Sequence, residues 1–535
     1  MKKDSFIKGA VIATLGIVIV KVIGLLYVIP FKAIIGEQGG ALYGYAYNIY
    51  SLFLAISSAG FPFAISKLTS EYIALGYNKA VKDTYKLATN IILIISIIIF
   101  GVLFVFAPQI GKLIIGNATG GNSVKDIAFV IRMVSFAILV VPFLSVTKGF
   151  LQGNKYISPT SISQIIEQII RVIVILLGSY LALKIFKTDL KTAVGIAVSG
   201  AFFGGLFAYL YLRLKISKAK LLPKEIKEDK KEVTRKEIIS KILKYSIPFI
   251  IINLIYNLYN TVDMILVSRT LNDILKYPMD AAESIVSIFT TWGVKLNNII
   301  LAVITGLTTS LIPNIVSAYT KGDKKDVDSK FNKALQCVLL IMVPCTLYLS
   351  LLSEPVWTLF YGDSYYGPLC YKVFVFAALF SGLYSVVVNT LQGLSKYKLV
   401  ITTVFLGLLI NTVLDVPFML LADKWGFQVS DGAVVAAITG YFISSVISLI
   451  YLNKKYGFSF TDTKRRLPSF VISWLVFEIV IVLLKLVIPT NLSGRLVQIP
   501  ILGLFGIVSF GIYILINYKT GNLSNIFEFR RKKWK

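Results

Sequence analysis

Stretches of twenty or more largely apolar residues recur along almost the whole chain, parted only by short polar turns. A helix needs roughly 20 such residues to cross a bilayer. Read between the polar breaks, they form fourteen segments, at about 6–35, 43–66, 86–107, 127–150, 159–183, 192–213, 245–268, 284–313, 334–353, 370–393, 399–422, 432–452, 469–488 and 496–517. The first and eighth are long enough to be tilted or bent. Composition agrees: 56% of the residues are hydrophobic and 15% charged, where soluble domains carry about 25% charged residues. The expected fold class is an all-α polytopic membrane protein. The apolar part of the opening MKKDSFIKGAVIATLGIVIVKVIGLLYVIPF outruns a signal-peptide core, and no A-x-A-like site follows it. It is expected to remain as the first spanning helix.

Orientation follows from the cations. With the N-terminus inside, cytoplasmic segments hold 39 Lys and Arg and the opposite side 13, while Lys21, Arg171 and Lys295 lie within helices. This positive-inside bias supports an even helix number and cytoplasmic termini in the cell membrane. It also accounts for the net charge of +28, which is scattered over short loops and the tail RRKKWK. Contact with anionic headgroups explains that scatter better than nucleic acid does. The stretch 213–244 is read as a basic, solvated linker.

Two Leu-Gln-Gly copies stand 240 residues apart, in GFLQGNKYIS (149–158) and NTLQGLSKYK (389–398), each closing the fourth helix of its half. A second match, Gly76-Tyr-Asn-Lys and Gly322-Asp-Lys-Lys, has an offset of 246 and follows segments two and eight. Six helices separate the copies, so the halves share one orientation and form a parallel repeat. The expected domains are a six-helix lobe at 1–215, the linker 216–240, a second six-helix lobe at 241–455, and two further helices with a basic tail at 456–535. Gly153 and Gly393 are expected to take the left-handed conformation that ends a helix. Lys155–Tyr156 and Lys396–Tyr397 are expected to anchor the membrane surface.

Charges inside spans are costly and therefore mark candidate sites. Lys21 stands midway along the first segment, Glu167 and Arg171 in the fifth, and Lys295 in the eighth. Asp263, Asp415 and Glu478 occupy segments seven, eleven and thirteen. Glu167 and Arg171 are spaced i,i+4 and can pair on one helix face; such a pair could simply hold the bundle. Lys21 and Lys295 have no partner at that spacing on their own helices, which favours a wet cavity and an anion. Asp263 and Asp415 are candidates for ion coupling or gating, or could sit in the far headgroup layer. At the 240 offset Glu167 meets Gly407 and Arg171 meets Asn411, so the central charges belong to one half only.

Other chemistry is poorly represented. The chain has no histidine, and Cys337, Cys345 and Cys370 lack metal or redox spacing, so no catalytic or metal site is expected and the cysteines read as buried small side chains. No G-x-x-x-x-G-K-[ST] is present, so uphill work would draw on the membrane potential or a monovalent cation, with no cofactor. Asp326-Val-Asp328 imitates a D-x-D motif but lies in the lysine-rich KGDKKDVDSK, where it reads as solvated surface.

Six helices plus six, two more at the C-terminus, and the LQG turns resemble the multidrug/oligosaccharidyl-lipid/polysaccharide (MOP) exporter superfamily. IVKVIGLLYVIPFKAIIG and TGLTTSLIPNIVSAYTKGD resemble its stage V sporulation protein B and lipid II flippase branch. That resemblance implies alternating access between two lobes and translocation of a polyprenyl-diphosphate-linked oligosaccharide, most readily the peptidoglycan precursor lipid II. It implies a basic cavity for diphosphate and sugar, and a groove by helices thirteen and fourteen for the lipid tail. Where lipid II flippases carry basic, Gly, basic at three-residue steps in the first helix, this chain has Lys21, Gly24 and Tyr27. Where their eighth helix carries an arginine, it has Lys295, a point charge without the bidentate fork. Lys21, Arg171 and Lys295 are thus expected to attract the headgroup, with Glu167 orienting Arg171. Expected partners are the polyprenyl-linked glycan, membrane lipids and cell-wall synthesis proteins. Rival readings are a polysaccharide repeat-unit flippase, a cation-coupled multidrug antiporter, and a non-transporting cell-wall scaffold.

Overall fold

A computed structural model describes Gly16 and residues 18–116, 120–222, 233–490 and 492–527, apart from the side chains of 303, 305, 307–311 and 313. The start of the first expected span, the middle of the basic linker and the RRKKWK tail lie outside the described residues. The chain parts into two compact units, Met1–Thr291 and Trp292–Lys535. The protein is an all-α, multi-pass membrane protein. Thirteen helical spans in the described residues are long and apolar enough to cross a bilayer, and they match the second to fourteenth expected segments.

In the first unit, helix α1 (residues 18–26) runs through a turn at Tyr27 into α2 (Val28–Ser58), which breaks at Gly36 (φ +67°, ψ −162°). That left-handed φ suits only a residue without Cβ, and it ends the first span. Helices α3 (Phe61–Leu75), α4 (Asn78–Val105), α5 (Ala107–Ile115), α6 (Val124–Ser135) and α7 (Val141–Gly153) follow. Proline in the first turn starts α3, α5 and α7, where its missing N–H costs no helix bond. α6 opens with a reciprocal cap between Ser123 and Asp126. α8 (Ile157–Ile173) continues through two π-helical stretches, Val174–Gly178 and Leu181–Ile185, and α9 (Leu190–Lys218) returns against it.

The long α10 (Arg235–Arg269) contains Pro248, and α11 (Met279–Ser287) follows it; both pack on α2. Contacts therefore divide the chain inside the eighth span, at a π-helical stretch over Ile288–Trp292, and the seventh span lies in the first unit. The expected lobe boundary at 216–240 rests on the repeat; this division rests on the packing of α10 and α11.

The second unit holds α12 (Gly293–Thr320), α13 (Lys324–Leu351), α14 (Ser353–Tyr361), α15 (Tyr366–Gly393), α16 (Tyr397–Lys424), α17 (Val429–Tyr456), α18 (Thr461–Val487), α19 (Arg495–Lys519) and α20 (Asn522–Phe527). α15 packs between α12, α13 and α17, and α18 joins α13 and α19. Leu475, Ile479, Leu483 and Leu486 of α18 and Ile94, Ile97 and Ile98 of α4 are exposed apolar side chains, as lipid-facing surfaces require.

The two Leu-Gln-Gly turns share one backbone hydrogen-bond pattern, which is also found at other helix ends of this chain. Lys155 N–H donates to the Gln152 carbonyl (2.9 Å) and Tyr156 N–H to Leu151 (2.9 Å); 240 positions on, Ser395 donates to Gln392 (2.9 Å) and Lys396 to Leu391 (2.8 Å). Gly76 and Gly322 end α3 and α12 at φ +77° and +74°. One expectation changes. Gly153 and Gly393 are the last helical residues, and the left-handed positions are Lys155 (φ 65°) and Ser395 (φ 58°). The glycines serve close approach instead. A Cβ on Gly153 would lie 2.6 Å from Thr69 Cβ on α3, and one on Gly393 would lie 2.7 Å from Val316 Cγ2 on α12.

Two smaller readings also change. Tyr156 is buried in an apolar cluster with Tyr85, Phe150 and Leu212, so it is a packing residue, whereas Lys155 is exposed. Asp326 and Asp328 are tied rather than freely solvated. Asp326 pairs with Lys330 at 2.7 Å, and Asp328 accepts from Ser459 N–H at 2.8 Å. Asn332 reaches the same segment, donating to the Ser459 carbonyl and accepting from Thr463.

Candidate functional site

The fifth span supplies the densest charge cluster inside the first unit. Glu167 of α8 accepts from Arg171 Nη2 at 2.8 Å, the i,i+4 pair expected from sequence, and from Lys148 Nζ of α7 at 3.0 Å. The three side chains are only 16–17% exposed, so their charges are largely withdrawn from water. Arg171 Nη1 donates to Tyr47 Oη at 3.2 Å, and its Nε is buried with no hydrogen-bond partner in the structure. Tyr47 stacks on Tyr43 (centroids 5.4 Å apart) and meets Tyr50 edge-on (5.6 Å). Two cations share one carboxylate, so the cluster keeps one net positive charge, and the guanidinium keeps uncommitted donors. That combination can receive an anion.

The local sequence explains why the charges stand there. α9 carries Gly200 and Gly204 four residues apart, a spacing that lets membrane helices approach backbone to backbone. A Cβ on Gly200 would lie 2.9 Å from the Arg171 carbonyl oxygen, and one on Gly204 only 2.5 Å from that of Glu167. α8 is therefore seated on α9 at the level of its two charges. On another side, a Cβ on Gly16 would lie 3.1 Å from Ser161 Cβ, and one on Gly24 3.4 Å from Gln168 Nε2. These two contacts set α1 and α8 parallel, which places Lys21 level with Ile165 and Ile166, within a turn of Glu167. Lys21 is exposed.

The other expected residues separate. Asp263 is half-buried on α10 of the first unit. Lys295 is half-buried on α12 and Asp415 fully buried on α16, both in the second unit. Asp415 lies one turn from Asn411, and both are fully buried. Glu478 is half-buried on α18. The second unit also has an apolar cavity of about 210 Å³, lined by Leu340, Pro344, Cys345, Phe510, Tyr513 and Ile514 of α13 and α19. Among the described residues no group of Asp, Glu and Cys is placed to hold a metal ion.

Lys148 and Tyr47 were not legible as site residues. Lys148 falls near the end of the fourth expected segment and is counted with the cytoplasmic cations beside it; in the structure it sits within α7, five residues before its end. The signal that could have found it is its place inside the fourth expected segment, where a charge is costly. Tyr47 is one of many aromatics in GALYGYAYNIY and carries no distinguishing pattern.

The family model described as polysaccharide biosynthesis protein matches residues 6–319, and the MatE model matches 248–416. The lipid II flippase MurJ of Bacillus subtilis (strain 168) is 30% identical over 542 aligned residues, covering 98% of this chain and 97% of that protein. A solved lipid II flippase MurJ in an inward closed conformation superposes with TM-score 0.66 at 18% identity, over 96% of this chain and 99% of its own. An inward-facing MATE family transporter of the MOP superfamily superposes with TM-score 0.62 at 15% identity, over 81% and 93% of the two chains. These two likenesses concern the fold. With the family match spanning more than half of the chain and a full-length relative beside it, the protein belongs to the polysaccharide biosynthesis protein family.

Proposed function

We propose that this protein is a flippase that moves a polyprenyl-diphosphate-linked oligosaccharide, most directly lipid II, across the cell membrane by alternating access. The observation that carries the reading is the net-cationic cluster Lys148–Glu167–Arg171 held inside membrane helices. A diphosphate offers several acceptor oxygens and no donor, which suits an ammonium and an incompletely engaged guanidinium. Lys21, at the same level on α1, extends the cationic set, Glu167 orients Arg171, and Lys295 of the second unit is assigned its own contact with the anionic headgroup. The full-length likeness to a lipid II flippase supports this substrate class. The lipid-tail groove is assigned to α18 and α19, the thirteenth and fourteenth spans; the apolar cavity of about 210 Å³ between α13 and α19 adjoins the latter and has room for a short part of a tail. Asp263 and Asp415 are assigned to coupling with a monovalent cation or the membrane potential, with no cofactor. Both termini are placed in the cytoplasm, and cell-wall synthesis proteins are the natural partners.

Flipping of defined polyprenyl-diphosphate sugars by purified protein in vesicles tests the assignment. Wild type is expected to flip them. Lys148→Ala, Arg171→Ala, Lys21→Ala and Lys295→Ala are each expected to slow it. Full activity in all four variants would remove the site. The MatE match over 248–416 favours one second reading, a multidrug antiporter; efflux of cationic drugs without any polyprenyl flipping would establish it instead.

A further inference from the structure

α10 crosses the first unit with one face whose exposure changes midway. Along that face, at three- and four-residue steps, stand Ile242, Ser246, Phe249, Asn253, Asn257, Asn260, Met264 and Val267, with Leu271 just past the helix end. Both ends of the row are packed. Ile242, Ser246, Met264, Val267 and Leu271 are buried, Phe249 lies against Phe63 (centroids 4.5 Å), and Gly60 abuts the Ser246 carbonyl. Only the middle opens: Asn253 and Asn260 are exposed and Asn257 is half-exposed. A lipid-facing row would be apolar and exposed throughout, as on α18. An asparagine facing hydrocarbon at mid-span would leave amide groups unsatisfied. The opening is therefore a polar window in a packed helix face.

The window has a defined polarity. Asn253 Nδ2 donates to the Phe249 carbonyl at 2.9 Å and Asn257 Nδ2 to the Asn253 carbonyl at 2.8 Å. Each of these two amides thereby spends one of its two N–H donors on its own helix and keeps its carbonyl oxygen and its second N–H for other groups. Neutral amides that both donate and accept match neutral groups that do the same, such as hydroxyls and acetamides, whereas a diphosphate, which offers only acceptors and carries charge, is matched by cations.

We propose that Asn253, Asn257 and Asn260 form the glycan-reading face of the transport site, exchanging hydrogen bonds with the hydroxyl and amide groups of a neutral, N-acetylated sugar, while the cations take the diphosphate. This rests on the flippase reading above and adds the residues that sense the sugar.

The test measures affinity of the full-length protein in nanodiscs for two probes of equal chain length. One is bare polyprenyl diphosphate, and the other is polyprenyl diphosphate carrying an N-acetylated disaccharide. Three hydrogen bonds of ordinary strength give wild type a preference of about tenfold or more for the glycosylated probe. In Asn253→Leu/Asn257→Leu/Asn260→Leu the preference is expected to fall within about twofold, with bare-lipid affinity retained. Leucine suits a membrane helix, and the single variant Asn257→Leu, expected to lose part of the preference, guards against misfolding of the triple. A preserved preference in both, or equal loss for both probes, overturns the glycan face while leaving the flippase reading intact. Wild type that binds neither probe overturns both.

Discussion

Glu167 is the shared acid of two cations, and its replacement by glutamine separates a binding role from a bracing one. Joined through one carboxylate, with contacts of 3.0 and 2.8 Å, the Lys148 and Arg171 nitrogens lie no more than about 8 Å apart. Glu167→Gln leaves them repelling by about 2 kcal/mol at an effective dielectric near 20. Removing one partner of a buried pair costs about 3–5 kcal/mol, so the variant is expected to melt earlier in detergent. The same change raises the cluster from one net positive charge to two. At a comparable distance the extra charge attracts each unit of ligand charge by about 2 kcal/mol, roughly thirtyfold in affinity. The folded variant should therefore bind bare polyprenyl diphosphate at least about tenfold more tightly at low salt, lose part of that gain at high salt, and flip it more slowly because release is retarded. Equilibrium binding in nanodiscs at two salt concentrations, beside flipping in vesicles, reads all three. A folded Glu167→Gln protein that binds the diphosphate no more tightly than wild type would refute the anion site and leave a structural brace.

Gly204→Leu places a side chain where even a Cβ meets the Glu167 carbonyl at 2.5 Å; about 1–3 kcal/mol of overpacking and a displaced α8 should lower both the melting midpoint and diphosphate affinity. Gly153→Ala should destabilise by a similar amount because of Thr69 and Ser66, whereas Lys155→Gly relieves a left-handed φ and should raise the melting midpoint slightly. Thermal melts of the two variants side by side check the assignment of roles within the turn. Asp189 accepts from Thr192 N–H at 3.1 Å, and this bond, with Lys191 alongside, holds its carboxyl below the usual range. Its capping contribution is present above the unfolded-state value near 4 and lost as pH falls through the lower folded value, so Asp189→Asn should melt with a flatter acid limb than wild type.

The architecture was readable because bilayer length and charge placement act on every span independently. Thirteen of the fourteen expected segments have a matching helical span, and the remaining one begins outside the described residues. The repeat was readable too, but the wrong atom was credited with it. Leu-Gln-Gly looks like a glycine stop signal; in space the stop falls two residues later, on Lys155 and Ser395, and the glycine is kept small by a crossing helix. A sequence shows that a glycine is present, not whether φ or a neighbour requires it.

The same distinction governs the site. Glu167 and Arg171 announced themselves because four residues on one helix fix their geometry in advance. Lys148 and Tyr47 did not, since their contacts depend on where α7 and α2 come to lie. The asparagines of α10 were passed over for a different reason. Within INLIYNLYNTVDM they are uncharged and look like ordinary punctuation in an apolar run. Their meaning comes from burial on either side of them, which only packing reveals. Charge broke the symmetry between the halves in the sequence; in the structure, a neutral polar window in a packed face does so as well. On the flippase reading, cations suit the phosphates and neutral amides the glycan, and the first unit carries both, the cations on α1, α7 and α8 and the amides on α10.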